Sequence, residues 1–232
     1  IDTSSGAVLS GVTLKAPSNA TVVTPTTTLM SEGSLTAAQV AEVLGLPDGV
    51  DPLTYNAFDT SAAGYNAQTA LAVEKASQQI MSAITAFAGA VEGAGASEAD
   101  AFSAALKSVA TVVQAKAAKL TDATASSADK TLDFTNAADL LLVQNAVSAE
   151  VTNNTTLSTT VNATALTNVI SNTATAVKNV NDAIKAVTDT DLSSQATKNI
   201  FSTVQVLKDQ VETSAKAEKD VDEGVAGAAS VV

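Results

Sequence analysis

The residues in this chain whose types and spacing could do chemistry are its carboxylates. Asp48 and Asp51 lie at a Pro47-Asp48-Gly49 turn, Asp189 and Asp191 stand between two helical patterns, and Asp220, Asp222 and Glu223 cluster near the C-terminus. Two carboxylates can hydrolyse a glycoside when they face each other across a sugar cleft, ordinarily walled by aromatics. With no Trp, two Tyr and five Phe, such a cleft is not expected. Calcium is the second use, since hard cations take oxygen ligands from Asp and from carbonyls. No segment has the Asp-x-Asp-x-Asp-Gly spacing of a helix-loop-helix calcium loop. Asp48 and Asp51 therefore read as a turn and an N-cap, and Asp189 and Asp191 as helix caps, with calcium binding as the alternative at either pair. No catalytic, cofactor-binding or metal-binding residue is assigned.

Composition removes most other chemistry. The chain has no Cys, no His and no Arg, and all twelve of its basic residues are Lys. A thiol nucleophile, an imidazole base, a Ser-His-Asp triad and ordinary zinc or haem ligation are therefore excluded. So is the bidentate guanidinium fork that grips phosphate. The stretch Gly89 to Gly95 lacks the preceding strand and the Lys of a phosphate loop. The enzyme classes recede, and no cofactor is expected.

Partners are limited by charge. Twenty-four acids against twelve Lys give a net charge of -12. Such a surface repels nucleic acid and anionic membranes, and suits salty or calcium-rich surroundings. No span reads as transmembrane, because the longest uncharged run, Val151 to Val177, is full of Thr and Asn. There is no signal peptide, and the chain begins at Ile1 rather than Met, so we read it as a processed protein or a piece of a longer one.

The elements that would position these residues are helical. Residues 1–33 form an extended N-terminal segment. Ala7 to Lys15 and Thr21 to Thr24 read as short strands around an Ala16-Pro17 turn, and Thr26 to Met30 start a short helix. From Ser34 the apolar period becomes 3.6. Ser34 caps a helix over Leu35–Leu44, and a second helix runs from about Ser61 to Val91, ended by Gly89, Gly93 and Gly95. Ser97 with Asp100 opens a third. Thr135 or Asn136 caps a fourth. Ser158 opens a fifth of about 31 residues, roughly 46 Å long. The sixth carries Ile200, Val204, Leu207 and Val211. The fold expected is mostly α: an elongated up-and-down bundle of five or six helices over 34–223, with a flexible tail at 224–232. Ile84, Phe87, Phe102, Leu106, Leu140, Val147, Ile184 and Leu207 are expected in its core. The Asn-x-Thr sequons at Asn19, Asn153, Asn154 and Asn162 matter only in a glycosylating host.

Two stretches carry a resemblance. One runs from Thr13 to Leu29 and holds the Ala16-Pro17 turn and Thr24-Pro25-Thr26-Thr27-Thr28-Leu29. The other is Leu44-Gly45-Leu46-Pro47-Asp48-Gly49-Val50-Asp51-Pro52-Leu53-Thr54-Tyr55-Asn56-Ala57-Phe58. Together they resemble a helical module of very large secreted or surface-anchored bacterial adhesin-like proteins. Many of those carry immunoglobulin- or cadherin-like repeats and RTX-type calcium repeats. Thr26 stands where that pattern has Leu, and Asn19 where Gly is common. The resemblance covers roughly the first 60 residues and implies an extracellular or cell-surface location with an adhesive or architectural role.

The leading expectation is a non-enzymatic extracellular structural or adhesive module whose partners are copies of itself or neighbouring domains of a longer chain. A polymerising surface filament or layer subunit, joined through residues 1–30 by strand addition, is the first alternative. A small-ligand-binding helical bundle is the second. That alternative requires a pocket of aromatics or convergent polar groups.

Overall fold

The computed structural model describes residues 11–225. An extended arm, residues 11–24, leads into α1 (Pro25–Gly33) and α2 (Ala37–Val43), and a long loop follows to α3 (Ala67–Gly93). Then come α4 (Glu98–Ala117), the single turn α5 (Ser127–Lys130), α6 (Ala137–Asn153), the single turn α7 (Leu157–Thr160), α8 (Ala163–Lys185), α9 (Gln195–Phe201) and α10 (Thr203–Asp222). Among the described residues there is no strand, and the chain is a mostly helical bundle. No helix among them is long and apolar enough to cross a membrane.

The long helices alternate in direction, as residue pairs along their seams show. On α3 and α8, Lys75 meets Lys185 and Gln79 meets Asn181, so the two run antiparallel. Lys107–Glu150 and Lys116–Asp139 set α4 antiparallel to α6. Asn168 with Glu218 and Asn162 with Asp222 set α8 antiparallel to α10. By contrast α3 and α10 run parallel: Gly89 lies beside Lys208 and Gly93 beside Glu212. α3 touches α1, α4, α8 and α10 and is the axis of the bundle.

All eight residues expected in the core are buried: Ile84, Phe87, Phe102, Leu106, Leu140, Val147, Ile184 and Leu207. The apolar period alone located them, because one face of each amphipathic helix must leave water. One buried ion pair accompanies them. Lys116 Nζ lies 2.6 Å from Asp139 Oδ1 and donates to Ala128 O at 2.6 Å, and Asp139 Oδ2 accepts the Asp133 N–H at 2.9 Å.

Helix boundaries depart from expectation where Thr, Ser and Asn offer the backbone other hydrogen bonds. Ser34 does not open α2. It closes α1 with φ 48°, and the cap of α2 is Thr36, whose hydroxyl and backbone N–H both engage Gln39. α3 starts at Ala67 under an Asn66 cap rather than near Ser61, after Asn56 and Asp59 have each turned the chain. Gly89 lies within α3, whereas Gly93 is its last residue, as the sequence predicts. The expected 31-residue helix is broken: α7 stops at Thr160, Val161 is extended, and Asn162 caps the 23-residue α8. Ser97 over Asp100 and Asn136 over Ala138 cap α4 and α6 as the sequence predicts.

The extended arm lies against the bundle. The Thr28 hydroxyl accepts the Lys15 N–H at 3.0 Å and donates to Thr24 O at 2.8 Å. The Thr27 hydroxyl donates to Lys15 O at 3.2 Å and accepts the Thr24 N–H at 2.8 Å. Further along, the Thr21 N–H donates to Leu53 O at 2.8 Å. The strand expected over Ala7 to Lys15 lies partly outside the described residues, and so does most of the tail at 224–232. α1 falls within the 1–33 segment, yet its Leu29 and Met30 join the same core as α3 and α4.

Candidate functional site

Most of the acidic residues singled out in the sequence are engaged locally, and Asp48 sits in the turn closed by the Val50 N–H on Pro47 O. Asp51 Oδ1 accepts the Leu53 N–H at 3.0 Å. Asp189 Oδ1 accepts the Asp191 N–H, and its Oδ2 accepts the Ser194 hydroxyl at 2.6 Å. Asp191 Oδ1 accepts both the hydroxyl and the N–H of Ser193, which hold this carboxyl below its ordinary range. Asp220 and Glu223 pair with Lys216 and Lys219, and Asp222 accepts from Asn162. Among the described residues no three acidic side chains converge as a metal-holding group.

The structure instead brings together residues that sequence reasoning had not joined. A cleft of about 440 Å³ opens between the N-terminal half of α3, the arm, the loop before α3 and the α9–α10 junction. The arm contributes Val12, Leu14, Val22 and Val23; the loop contributes Tyr55, Asn56, Ala57 and Phe58; Phe201, Val204 and Gln205 close the far side. Val73, Glu74, Ser77, Gln78, Met81 and Thr85 of α3 form the remaining wall. Phe58 and Val23 leave more than 60% of their surface in water, 62% and 61%. They form an apolar rim of the kind a solvated surface seldom keeps without use.

Glu74 is the charged residue of this lining. It is 9% exposed, on the α3 turn between Leu71 and Gln78. Its Oε1 accepts the Gln78 Nε2–H at 2.7 Å. Burial disfavours the anion and pushes the carboxyl from 4.5 up to about 7, with the Gln78 hydrogen bond pulling the other way. No lysine lines the cleft to neutralise it. Tyr55 adds a hydroxyl that is sealed from solvent and has no hydrogen-bond partner among the described residues. Its own burial first, and the neighbouring Tyr65 second, raise its pKa.

The chain matches no protein family, no curated protein and no solved structure.

The signal for this site in the sequence was faint. Glu74 stands on the apolar side of α3, three residues after the buried Leu71 and three before the buried Ser77. A carboxylate at such a register belongs either to an ion pair or to a site, and its neighbour Lys75 conceals the choice. Lys75 turns the other way and donates to Lys185 O at 2.8 Å.

Proposed function

We propose that this chain is a non-enzymatic extracellular structural or adhesive module, an elongated helical spacer within or beside larger surface assemblies. The observation that carries this reading is the clamped arm. Residues 15–24 are tied through their backbone to α1 and to the loop at Leu53, so lead-in and bundle move as one piece. A spacer transmits position and force only if its entry is fixed in this way. The same hydrogen bonds occupy the Lys15 and Thr21 backbone groups, which leaves those two positions closed to strand addition. The acidic surface suits the salt and calcium of an exterior, and the resemblance of the first 60 residues points to the same place.

Light scattering and small-angle X-ray scattering on the full chain, with and without calcium, test the reading. The expected result is an elongated monomer whose size does not respond to the ion. Concentration-dependent growth into polymers would replace it with the filament alternative. Calcium-dependent compaction would restore a cation site at Asp48/Asp51 or Asp189/Asp191.

A second reading, a small-ligand-binding helical bundle, is favoured by the cleft. Three of the chain's seven aromatic residues, Tyr55, Phe58 and Phe201, line it with a buried carboxyl among them. Its volume lies in the range of ordinary ligand sites, roughly 300–1,000 Å³. Binding of n-octanol, followed by nuclear magnetic resonance, tests whether the cleft takes apolar guests at all.

A further inference from the structure

We propose that the cleft beside α3 binds a small organic cation: an amine with an apolar body whose ammonium group is received by Glu74. This inference rests on the ligand-binding reading of the cleft and adds the chemistry of its occupant.

The lining is apolar in the larger part, from Val12, Leu14 and Val23 through Phe58 and Met81 to Val204, with neutral polar side chains such as Asn56, Ser77 and Gln205 between them. Such walls select an apolar body. Among the described residues they contain one ionisable acid, Glu74, and one phenol, Tyr55; no cationic side chain is among them. One oxygen of Glu74 is held by Gln78, and the other has no hydrogen-bond partner among the described residues. The Tyr55 hydroxyl also lacks a partner among the described residues, but it is sealed from solvent and is not open to the cleft. A donor from an occupant can pair with the second Glu74 oxygen. An ammonium group is three donors with no acceptor, so it suits that carboxylate oxygen.

Charge selects in the same direction. A carboxylate kept from water in an apolar wall gains most from a cation placed against it. Aromatic residues in the same lining add ring faces, which attract cations. The net charge of -12 draws cations toward the molecule and repels anions such as fatty acids. An uncharged alcohol of the same shape would fill the cleft and donate at most one hydrogen bond, without the charge pairing.

The test uses the full chain and three probes with one tail and different heads: n-octylamine, n-octanol and octanoate at pH 8. The two methionines report the site, because Met81 lines the cleft and Met30, on α1, is buried in the core. With 13C-methyl methionine, octylamine should shift the Met81 signal and leave Met30 in place. Its affinity should exceed that of octanol at least tenfold, and octanoate should be weaker still. In Glu74→Gln, checked for native circular dichroism, the amine and alcohol should bind within about twofold of each other. Equal affinity of amine and alcohol for the native chain would overturn the cation assignment and leave an unspecific apolar cleft. Octanoate binding as tightly as octylamine would overturn it too. If neither octylamine nor octanol moves Met81, the ligand-binding reading falls with it.

Discussion

The two halves of α3 obey different rules although they are one continuous helix. Residues 67–81 follow the amphipathic pattern: Ala70, Leu71, Glu74, Ser77 and Ile80 are buried and the positions between them are not. Residues 82–91 are buried without exception. In the first half the helix borders the bundle, and its turn at Glu74 faces an open cleft. In the second half α1, α4, α8 and α10 surround it, and the sequence Ser82 to Val91 carries no charge at all. A helix apolar on every side is one that neighbours enclose. Enclosure requires close approach, which is why Gly89 and Gly93 fall there. A Cβ at Gly89 would lie 2.7 Å from the Lys208 carbonyl oxygen, and one at Gly93 would overlap that of Glu212. One helix thus supplies both a closely packed seam and a wall of an open cleft.

Six substitutions test that contrast. The largest effect is expected from Phe87→Ala in the enclosed half, where the ring is fully buried. It should cost about 3–5 kcal/mol by chemical denaturation, and Phe102→Ala on α4 should cost a similar amount. The same change at Phe58, on the rim, should stay within about 0.5 kcal/mol. If Phe58→Ala cost as much as Phe87→Ala, the cleft would be part of the core and not an open site.

Next is Glu74→Gln. In the folded chain the carboxyl titrates near 7, against an ordinary 4.5 when unfolded. The folded state therefore holds the proton more tightly, and stability falls as pH rises between those values. Below about 4.5 the penalty is absent, and above about 7 it is complete. At 1.36 kcal/mol per pH unit the gap corresponds to about 3 kcal/mol. Glu74→Gln should thus be more stable than the native chain by about that amount at pH 8, and indistinguishable from it at pH 4. Parallel stability profiles of the two proteins from pH 4 to 8 would remove burial as the cause.

Gly93→Ala has a smaller effect, and its sign is the informative part. Helix propensity alone would reward the alanine by about 1 kcal/mol. Overpacking against Glu212 and Ala215 should outweigh it and leave a net loss of about 2 kcal/mol. A higher melting temperature for Gly93→Ala would show that α10 can withdraw, and that the seam is not the rigid region.

The smallest is Thr24→Ala, at the junction of the arm and α1. The Thr24 hydroxyl accepts the Thr27 N–H at 3.1 Å as the cap of α1. Its loss should cost about 1 kcal/mol and speed amide exchange at Thr27. No change in exchange there would mean that the arm is held by other contacts than the threonine cluster.

Much of the fold was legible in the sequence for a local reason. Helix caps and apolar stripes are set by neighbours three and four residues away. Ser97 with Asp100, Asn136 before Ala137, and the burial of Ile84, Phe102 and Leu140 were therefore readable from short windows. Errors arose where two local signals competed. Ser34 and Thr36 are both good caps, and only the Gln39 side chain, engaging the Thr36 backbone and hydroxyl, decides between them. The break at Val161 was hidden because Thr and Asn suit a helix face, a turn and a cap alike.

Composition by itself determined that no thiol, imidazole or guanidinium chemistry is available to this chain, and periodicity determined that it is helical. Tertiary structure decided what the glycines of α3 and its one cleft-facing carboxylate are for. Gly89 reads as a helix stop, and Gly93 as nothing more than one, until α10, more than a hundred residues later, is laid against them. Glu74 reads as half of a surface Glu-Lys pair until the arm, the Tyr55–Phe58 loop and Phe201 close around it. The physical reason is that burial depends on every segment that comes near. The dielectric around a carboxyl, and the room beside a glycine, are properties of the assembled neighbours and not of the local chain.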